Sequence, residues 1–235
     1  MLLIAALCIT ATSVFAQSVD EIIQKYTANM GGLDAFKKVT SVKFSGTVVT
    51  QGNDLPVTTQ VINDKAMRMD VEAMGQTVTN VYHNGKAWKI NPFTGATTAT
   101  EVTGTELNDF KIQASLANPL MDYKARENKA ELVGQEDVEG IKTYKIKLTS
   151  KDDGRISTFF ISANDLTLVK SVSTRKVQGQ DMEIETFYSD IKDINGLKFF
   201  MTRTLKISGQ EFQTIKLDKI ELNVAIDEKI FEMPK

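Results

Sequence analysis

Residues 82–95, YHNGKAWKINPFTG, hold the chain's single histidine, His83, and its single tryptophan, Trp88. An imidazole moves protons near neutral pH, so acid–base chemistry would sit here if anywhere. The rest of the chain withholds the partners. Its one cysteine, Cys8, lies in an apolar leader, which leaves no Cys/His catalysis and no His-rich metal site for the remainder. A Ser-His-Asp triad would have to use His83, which stands beside an Asn-Gly hairpin turn. There is no G-x-S-x-G elbow, phosphate-binding loop or dinucleotide fingerprint. Asp181, Glu183 and Glu185 share one strand face, but a hard-cation site wants oxygens converging from a loop, so solvated charge is the better reading. Asp152-Asp153 and Glu136-Asp137 are accounted for by turn chemistry. The expectation is a non-enzyme with no catalytic residue, no metal and no cofactor, in which His83 is an exposed or edge-strand residue.

The elements that would position a site begin after residues 1–16, MLLIAALCITATSVFA. This run is apolar and uncharged, and Val14-Phe15-Ala16 places small residues at both ends of a cleavage site, the mark of a secretory signal peptide. It is shorter than the about 20 apolar residues a bilayer span needs. Leu7 stands where a small residue should precede a lipid-modified Cys8, which argues against a lipoprotein anchor. Residues 17–235 then form a single exported, soluble domain without disulfides, held by its core alone. The net charge of −2 contains no block of like charge, which excludes a nucleic-acid partner.

Val19, Ile22, Ile23, Tyr26 and Met30 fall on one helical face, with Ser18 placed to cap it ahead of Glu21. Gly31-Gly32 ends that helix, and Leu33, Phe36 and Val39 make a second short apolar face. The period then changes to two. Val42, Phe44, Gly46 and Val48 alternate with polar residues, as do Met67, Met69 and Val71, and Tyr144, Ile146 and Leu148. Asn84-Gly85, Glu139-Gly140, Asp153-Gly154, Asn195-Gly196 and Ser208-Gly209 punctuate about a dozen such runs, the pattern of an antiparallel meander. Residues 103–129 break it. They lack alternation, carry Leu107, Phe110, Ile112, Leu116, Leu120 and Met121, and predict a helix capped by Thr105 and interrupted by Pro119. Such an insertion closes the end of a core or lids a cavity. Runs apolar on both faces, such as ISTFFI (156–161) and LKFFM (197–201), fit a curved sheet enclosing helices or an apolar ligand, and fit a large ordinary β-core as well.

The stretch VYHNGKAWKINPFTGATTATEVTG (81–104) resembles the hairpin of the periplasmic outer-membrane lipoprotein carriers, the LolA-like family: a short strand, Asn84-Gly85-Lys86, Trp88 in the next strand, Asn91-Pro92-Phe93, then a polar strand. AIDEKIFEMPK (225–235) is similar to the family's closing motif, and the opening helix, double glycine and second helix are similar to related lipoprotein-sorting sequences. The resemblance implies a mainly β fold with helices: an incomplete, half-open antiparallel β-barrel whose helices plug the concave side around an apolar cavity. It implies a lipoprotein-sorting carrier of acyl chains in the periplasm, with an acylated lipoprotein or lipid as cargo and an inner-membrane release complex and an outer-membrane acceptor as partners. Phe44, Met67, Met69, Trp88, Phe93, Leu107, Phe110, Ile112 and Leu116 are then the expected cavity and lid residues. The family's carriers also have an Arg-Pro pair followed shortly by Phe, which serve transfer. Asn63-Asp64 and Met67 stand there instead, with Arg68 one place on. Two other classes stay open: an envelope sensor of the same fold that binds lipid and a protein partner, and an exported hydrolase, which would need a convergent carboxylate pair in a cleft.

Overall fold

The computed structural model describes residues 18–177 and 180–234. The signal peptide expected over residues 1–16 lies outside them. Helix α1 (Val19–Asn29) starts on a reciprocal cap: Ser18 Oγ accepts from the Glu21 amide, and a Glu21 carboxylate oxygen accepts from the Ser18 amide, both at 3.2 Å. Gly31 and Gly32 adopt φ of 115° and 88°, which turns the chain into α2 (Leu33–Lys38). A side chain at Gly31 would run into the carbonyl of Gly196, so the absence of a Cβ lets this turn dock on the sheet.

Six strands follow: β1 (Ser41–Thr50), β2 (Asn53–Ile62), β3 (Ala66–Ala73), β4 (Gln76–His83), β5 (Lys86–Asn91) and β6 (Ala96–Val102). After helix α3 (Gly104–Gln113) come β7 (Lys129–Val138), β8 (Ile141–Thr149), β9 (Ile156–Ser162), β10 (Leu168–Val177), β11 (Gln180–Ile194), β12 (Leu197–Ile207) and β13 (Gln210–Leu222). Two-residue turns with both φ positive join many neighbours: Asn84-Gly85, Glu139-Gly140, Asn195-Gly196 and Ser208-Gly209 as the sequence predicts, and also Gln51-Gly52 and Met74-Gly75.

All thirteen strands form one antiparallel sheet in the order β6-β5-β4-β3-β2-β1-β13-β12-β11-β10-β9-β8-β7. Two meanders are thus stitched together by the pairing of the first strand with the last. That seam carries a bulge at Ser45/Gly46, where a Cβ on Gly46 would strike the Lys216 carbonyl. The edges β6 and β7 are neighbours in sequence but opposite ends of the sheet. Residues 103–128 must therefore cross from one edge to the other, which is why the meander breaks there. The sheet does not close, and α1 and α2 pack in its hollow: Ile22, Ile23, Tyr26, Met30 and Phe36 are buried in one core with residues of both meanders. Mainly β and half-open, the fold matches the class read from the sequence.

Cross-strand register builds the concave wall. Val42, Val61, Met67, Tyr82, Ala87 and Val102 stand opposite one another across β1 to β6, all buried in the main core. The outer face of the same strands carries a second core of Ala66, Val81, Trp88 and Phe231, with Ile226 and Ile230 packed on it from the C-terminal segment.

Candidate ligand cavity

Between the hollow of the sheet and the crossing segment lies a cavity of about 840 Å³. That is near the upper end of the range of about 300–1,000 Å³ in which small molecules bind. Phe44, Val61, Met67 and Met69 line it from the first meander, and Leu148, Phe159, Leu168 and Leu217 from the second. Tyr26, Met30 and Phe36 close its helical end. Phe199 sits edge-on to both Phe36 and Phe44, with ring centres 5.7 and 6.3 Å away, and so ties helix α2 to the two meanders.

Helix α3 bridges the opening, touching β3, β4 and β5 on one side and β10 on the other. Its cap residue is Thr103, without a side-chain cap bond, and it ends at Gln113. The sequence-based cap at Thr105 therefore falls inside the helix, and Pro119 lies beyond its end instead of interrupting it. Ile112 and Leu116 face the cavity.

Two polar anchors hold this lid. At the β2–β3 turn, the Asp64 amide donates to the Ala114 carbonyl (2.9 Å) and Asn63 Oδ1 accepts from the Leu116 amide (3.0 Å). Asn63 Nδ2 meanwhile donates to the carbonyls of Phe36 and Val39, both at 3.0 Å, so one amide side chain joins α2, the turn and the lid. Arg126 donates to Ser115 Oγ at 2.9 Å from behind.

At the β8–β9 loop, Arg155 pairs with Asp109 and donates to the Thr105 carbonyl, Lys111 meets Asp152 at 2.8 Å, and Asn108 donates to Asp153 at 3.2 Å. Burial lowers the affinity of Arg155 for its proton, but the Asp109 and Asp153 carboxylates together outweigh it and raise the pKa. Burial likewise pushes Asp153 up, yet hydrogen bonds from Ser150, the Arg155 amide and Asn108, with the Arg155 charge, hold it below the usual aspartate value. Sequence reading assigned Asp152-Asp153 to turn chemistry alone; in the structure they also anchor the lid.

Of the residues singled out from sequence, Phe44, Met67, Met69, Ile112 and Leu116 line the cavity. Leu107 and Phe110 lie on the lid helix itself, Phe110 buried in the main core and Leu107 packed against it. Trp88 and Phe93 do not reach the cavity, a correction to the expectation. Trp88 is buried on the opposite face of the sheet, where its indole N–H donates to the Phe231 carbonyl at 3.1 Å. Phe93 is half exposed on the turn after β5, where Asn91 Oδ1 accepts from its amide. Arg68, one place beyond the family's phenylalanine position, also points outward: it pairs with Asp70 at 2.7 Å and donates to the Ile230 carbonyl at 2.9 Å. His83 sits against Phe231, with ring centres 5.9 Å apart, beside its turn.

Glu185 pairs with Lys170 at 3.1 Å, while the Asp181 side chain lies outside the described residues. Among the described residues no cluster of three or more His, Cys, Asp or Glu could hold a metal ion, and no helix is long and apolar enough to cross a membrane. Sequence reading missed the second-meander wall, Leu148, Phe159, Leu168, Phe199 and Leu217, as individual cavity residues. For Phe159 and Phe199 the signal was the doubly apolar runs ISTFFI and LKFFM, and for Leu148 the alternation with Tyr144 and Ile146, none of which says which side chains face inward.

No family model and no curated protein sequence matches the chain. Solved structures do match. A LolA superfamily protein from Nitrosomonas europaea superposes with a TM-score of 0.59 at 12% identity, covering 92% of this chain and 98% of that one. A domain from Vibrio parahaemolyticus named for outer-membrane lipoprotein sorting gives 0.57 at 9% identity over 91% and 95% of the two chains. A DUF1329 family protein from Desulfovibrio piger gives 0.55 at 12% identity over 92% and 98%. The chain has a LolA-like fold.

Proposed function

We propose that this chain is an exported, non-enzymatic carrier that holds the acyl chains of a lipoprotein or lipid in its concave cavity, for sorting towards the outer membrane. The observation that carries this reading is the cavity of about 840 Å³, whose sheet and helix walls carry aliphatic, Met and Phe side chains beside the polar residues of its rim, spanned by a helix that crosses the open side of the sheet. Burial of an acyl chain gives about 0.8 kcal/mol per CH₂, enough to retain cargo with no covalent step. Methionines at 67 and 69 adapt to chains of different shape. Single hydrogen bonds of the kind that anchor the lid are worth about 0.5–1.5 kcal/mol each, which suits a cover that opens and recloses.

In this reading residues 1–16 are a signal peptide, residues 17–235 one periplasmic domain, and Phe44, Met67, Met69, Ile112 and Leu116 contact the acyl chains while Leu107 and Phe110 brace the lid. An inner-membrane release complex would load it and an outer-membrane acceptor unload it. With Asn63-Asp64 in place of the family's Arg-Pro pair, the lid is tied by an amide and a backbone N–H, so handover runs through these contacts.

Native mass spectrometry of the protein purified from envelope extracts tests the proposal. Acyl-lipid adducts or co-purified acylated protein are expected, lost when Met67→Trp fills the cavity. A protein that is always empty, and that takes up no apolar fluorophore, would falsify it.

A further inference from the structure

The charges around the cavity do not cancel. Every lining carboxylate already faces a lining base: Asp64 and Asp122 face Arg126, with Lys37 also on Asp122, Asp109 and Asp153 face Arg155, and Asp152 faces Lys111. Lys198, a further lining cation, donates to Asn29 Oδ1 at 2.8 Å. Arg203 also lines the cavity, and among the described residues it has neither an ion-pair nor a hydrogen-bond partner. Its position is set by the sheet. On β12 it stands directly opposite Tyr188 of β11 and Ile215 of β13, both of which line the same cavity.

Tyr188 is held by packing against Phe200, with ring centres 5.1 Å apart, and its hydroxyl lies 2.9 Å from Ser171 Oγ. One hydrogen bond between two hydroxyls leaves one O–H proton still to donate. Ser173, two residues along β10, lines the cavity as well. A permanently charged guanidinium with five donors, its side chain exposed, thus shares a sheet face with a tyrosine whose hydroxyl meets Ser171, on a wall that also carries Phe200, Ile215 and Leu217. This is the donor set that recognises a carboxylate or phosphate in a fork.

We infer that Arg203, with the Tyr188 and Ser171 hydroxyls, forms an anion subsite that makes the cavity select amphiphiles with a carboxylate or phosphate head over neutral acyl esters. The inference rests on the reading of the cavity as an acyl-chain site and adds the chemistry of the head group. The apolar wall takes the chain, and Arg203 supplies the one lining charge left without a protein partner among the described residues.

Displacement of an apolar fluorophore by three probes of equal chain length tests it: palmitate, hexadecyl phosphate and methyl palmitate. Wild-type protein is expected to bind at least one anionic probe ten or more times as tightly as the ester, and which of the two it prefers identifies the head group. Arg203→Gln is expected to bring the anionic probes to the affinity of the ester and leave the ester unchanged, while Arg203→Lys keeps part of the preference. Far-UV circular dichroism checks that both variants fold. Equal binding of all three probes to the wild type, or an equal loss of all three in Arg203→Gln, overturns the subsite and leaves the acyl cavity standing. If none of the probes binds, the cavity reading fails and the subsite falls with it.

Discussion

The two meanders protect their outer faces in different ways. Over β3 to β5 the chain covers itself: Phe231, Ile226 and Ile230 of the C-terminal segment pack on Trp88, Val81 and Ala66. Over β8 to β12 no segment among the described residues does this, and lysines cover the aromatics. Lys145 and Lys170 lie 5.5 and 4.5 Å from the ring centre of Phe160, and Lys170 and Lys206 lie 5.7 and 4.1 Å from that of Phe187. Cross-strand register explains the ladder, since Lys145, Phe160, Lys170 and Phe187 are successive partners across β8 to β11. Their aliphatic stems shield the rings while the ammonium groups stay near water and carboxylates such as Glu136 and Glu185. Buried apolar surface can thus be sealed by a remote piece of chain, which concentrates stability in a few contacts. It can equally be sealed by long side chains of the sheet itself, which spreads it.

The largest expected effect breaks the first arrangement. Trp88→Ala removes a buried indole and its hydrogen bond to Phe231, at a cost of about 3–5 kcal/mol in chemical denaturation followed by circular dichroism. A loss below about 1 kcal/mol would mean that the C-terminal cover contributes little. Asn63→Ala comes next, because it cuts three hydrogen bonds between α2, the turn and the lid; about 2 kcal/mol and faster amide exchange at Leu116 are expected. Unchanged exchange at Leu116 would move the lid's main anchor to the β8–β9 loop.

Lys170→Gln should cost about 1 kcal/mol, since the cation–aromatic contacts of the second meander are shared among three lysines. A loss equal to that of Trp88→Ala would erase the contrast between the two faces. The smallest effect is expected from acid. Because the folded Asp153 is held below the ordinary carboxylate value, its contribution is complete above about pH 3.9 and is lost as the pH falls through its lower folded pKa. The protection of the lid amides, taken relative to their intrinsic exchange rate, should therefore fall on acidification from about pH 5 to 3, and Asp153→Asn should flatten that dependence.

Trp88 shows where legibility ended. Two-residue turns at Met74-Gly75 and Asn84-Gly85 place Met67 opposite Tyr82 and Tyr82 opposite Ala87, while Trp88 faces Val81 and, through it, Arg68. Met67 and Trp88 therefore sit on opposite faces. The Asn-Gly turn was legible. The Met-Gly turn was not, because methionine at a positive φ carries no local preference, so the parity between the strands could not be counted.

What the sequence determined by itself was local: the Ser18 cap, the glycine break after α1, most of the hairpin turns and the period-two runs that became strands. Each is encoded in residues a few positions apart, through φ preferences, capping and alternation. Only the tertiary structure decided which face of each strand is concave, that β1 pairs with β13, and that the leucines, phenylalanines and Arg203 of the second meander face Phe44, Met67 and Met69 across one cavity. Alternation is symmetric between the two faces of a strand. The symmetry is broken only when the remote seam forms, the sheet curls around α1 and α2, and residues 103–128 cross the side that stays open.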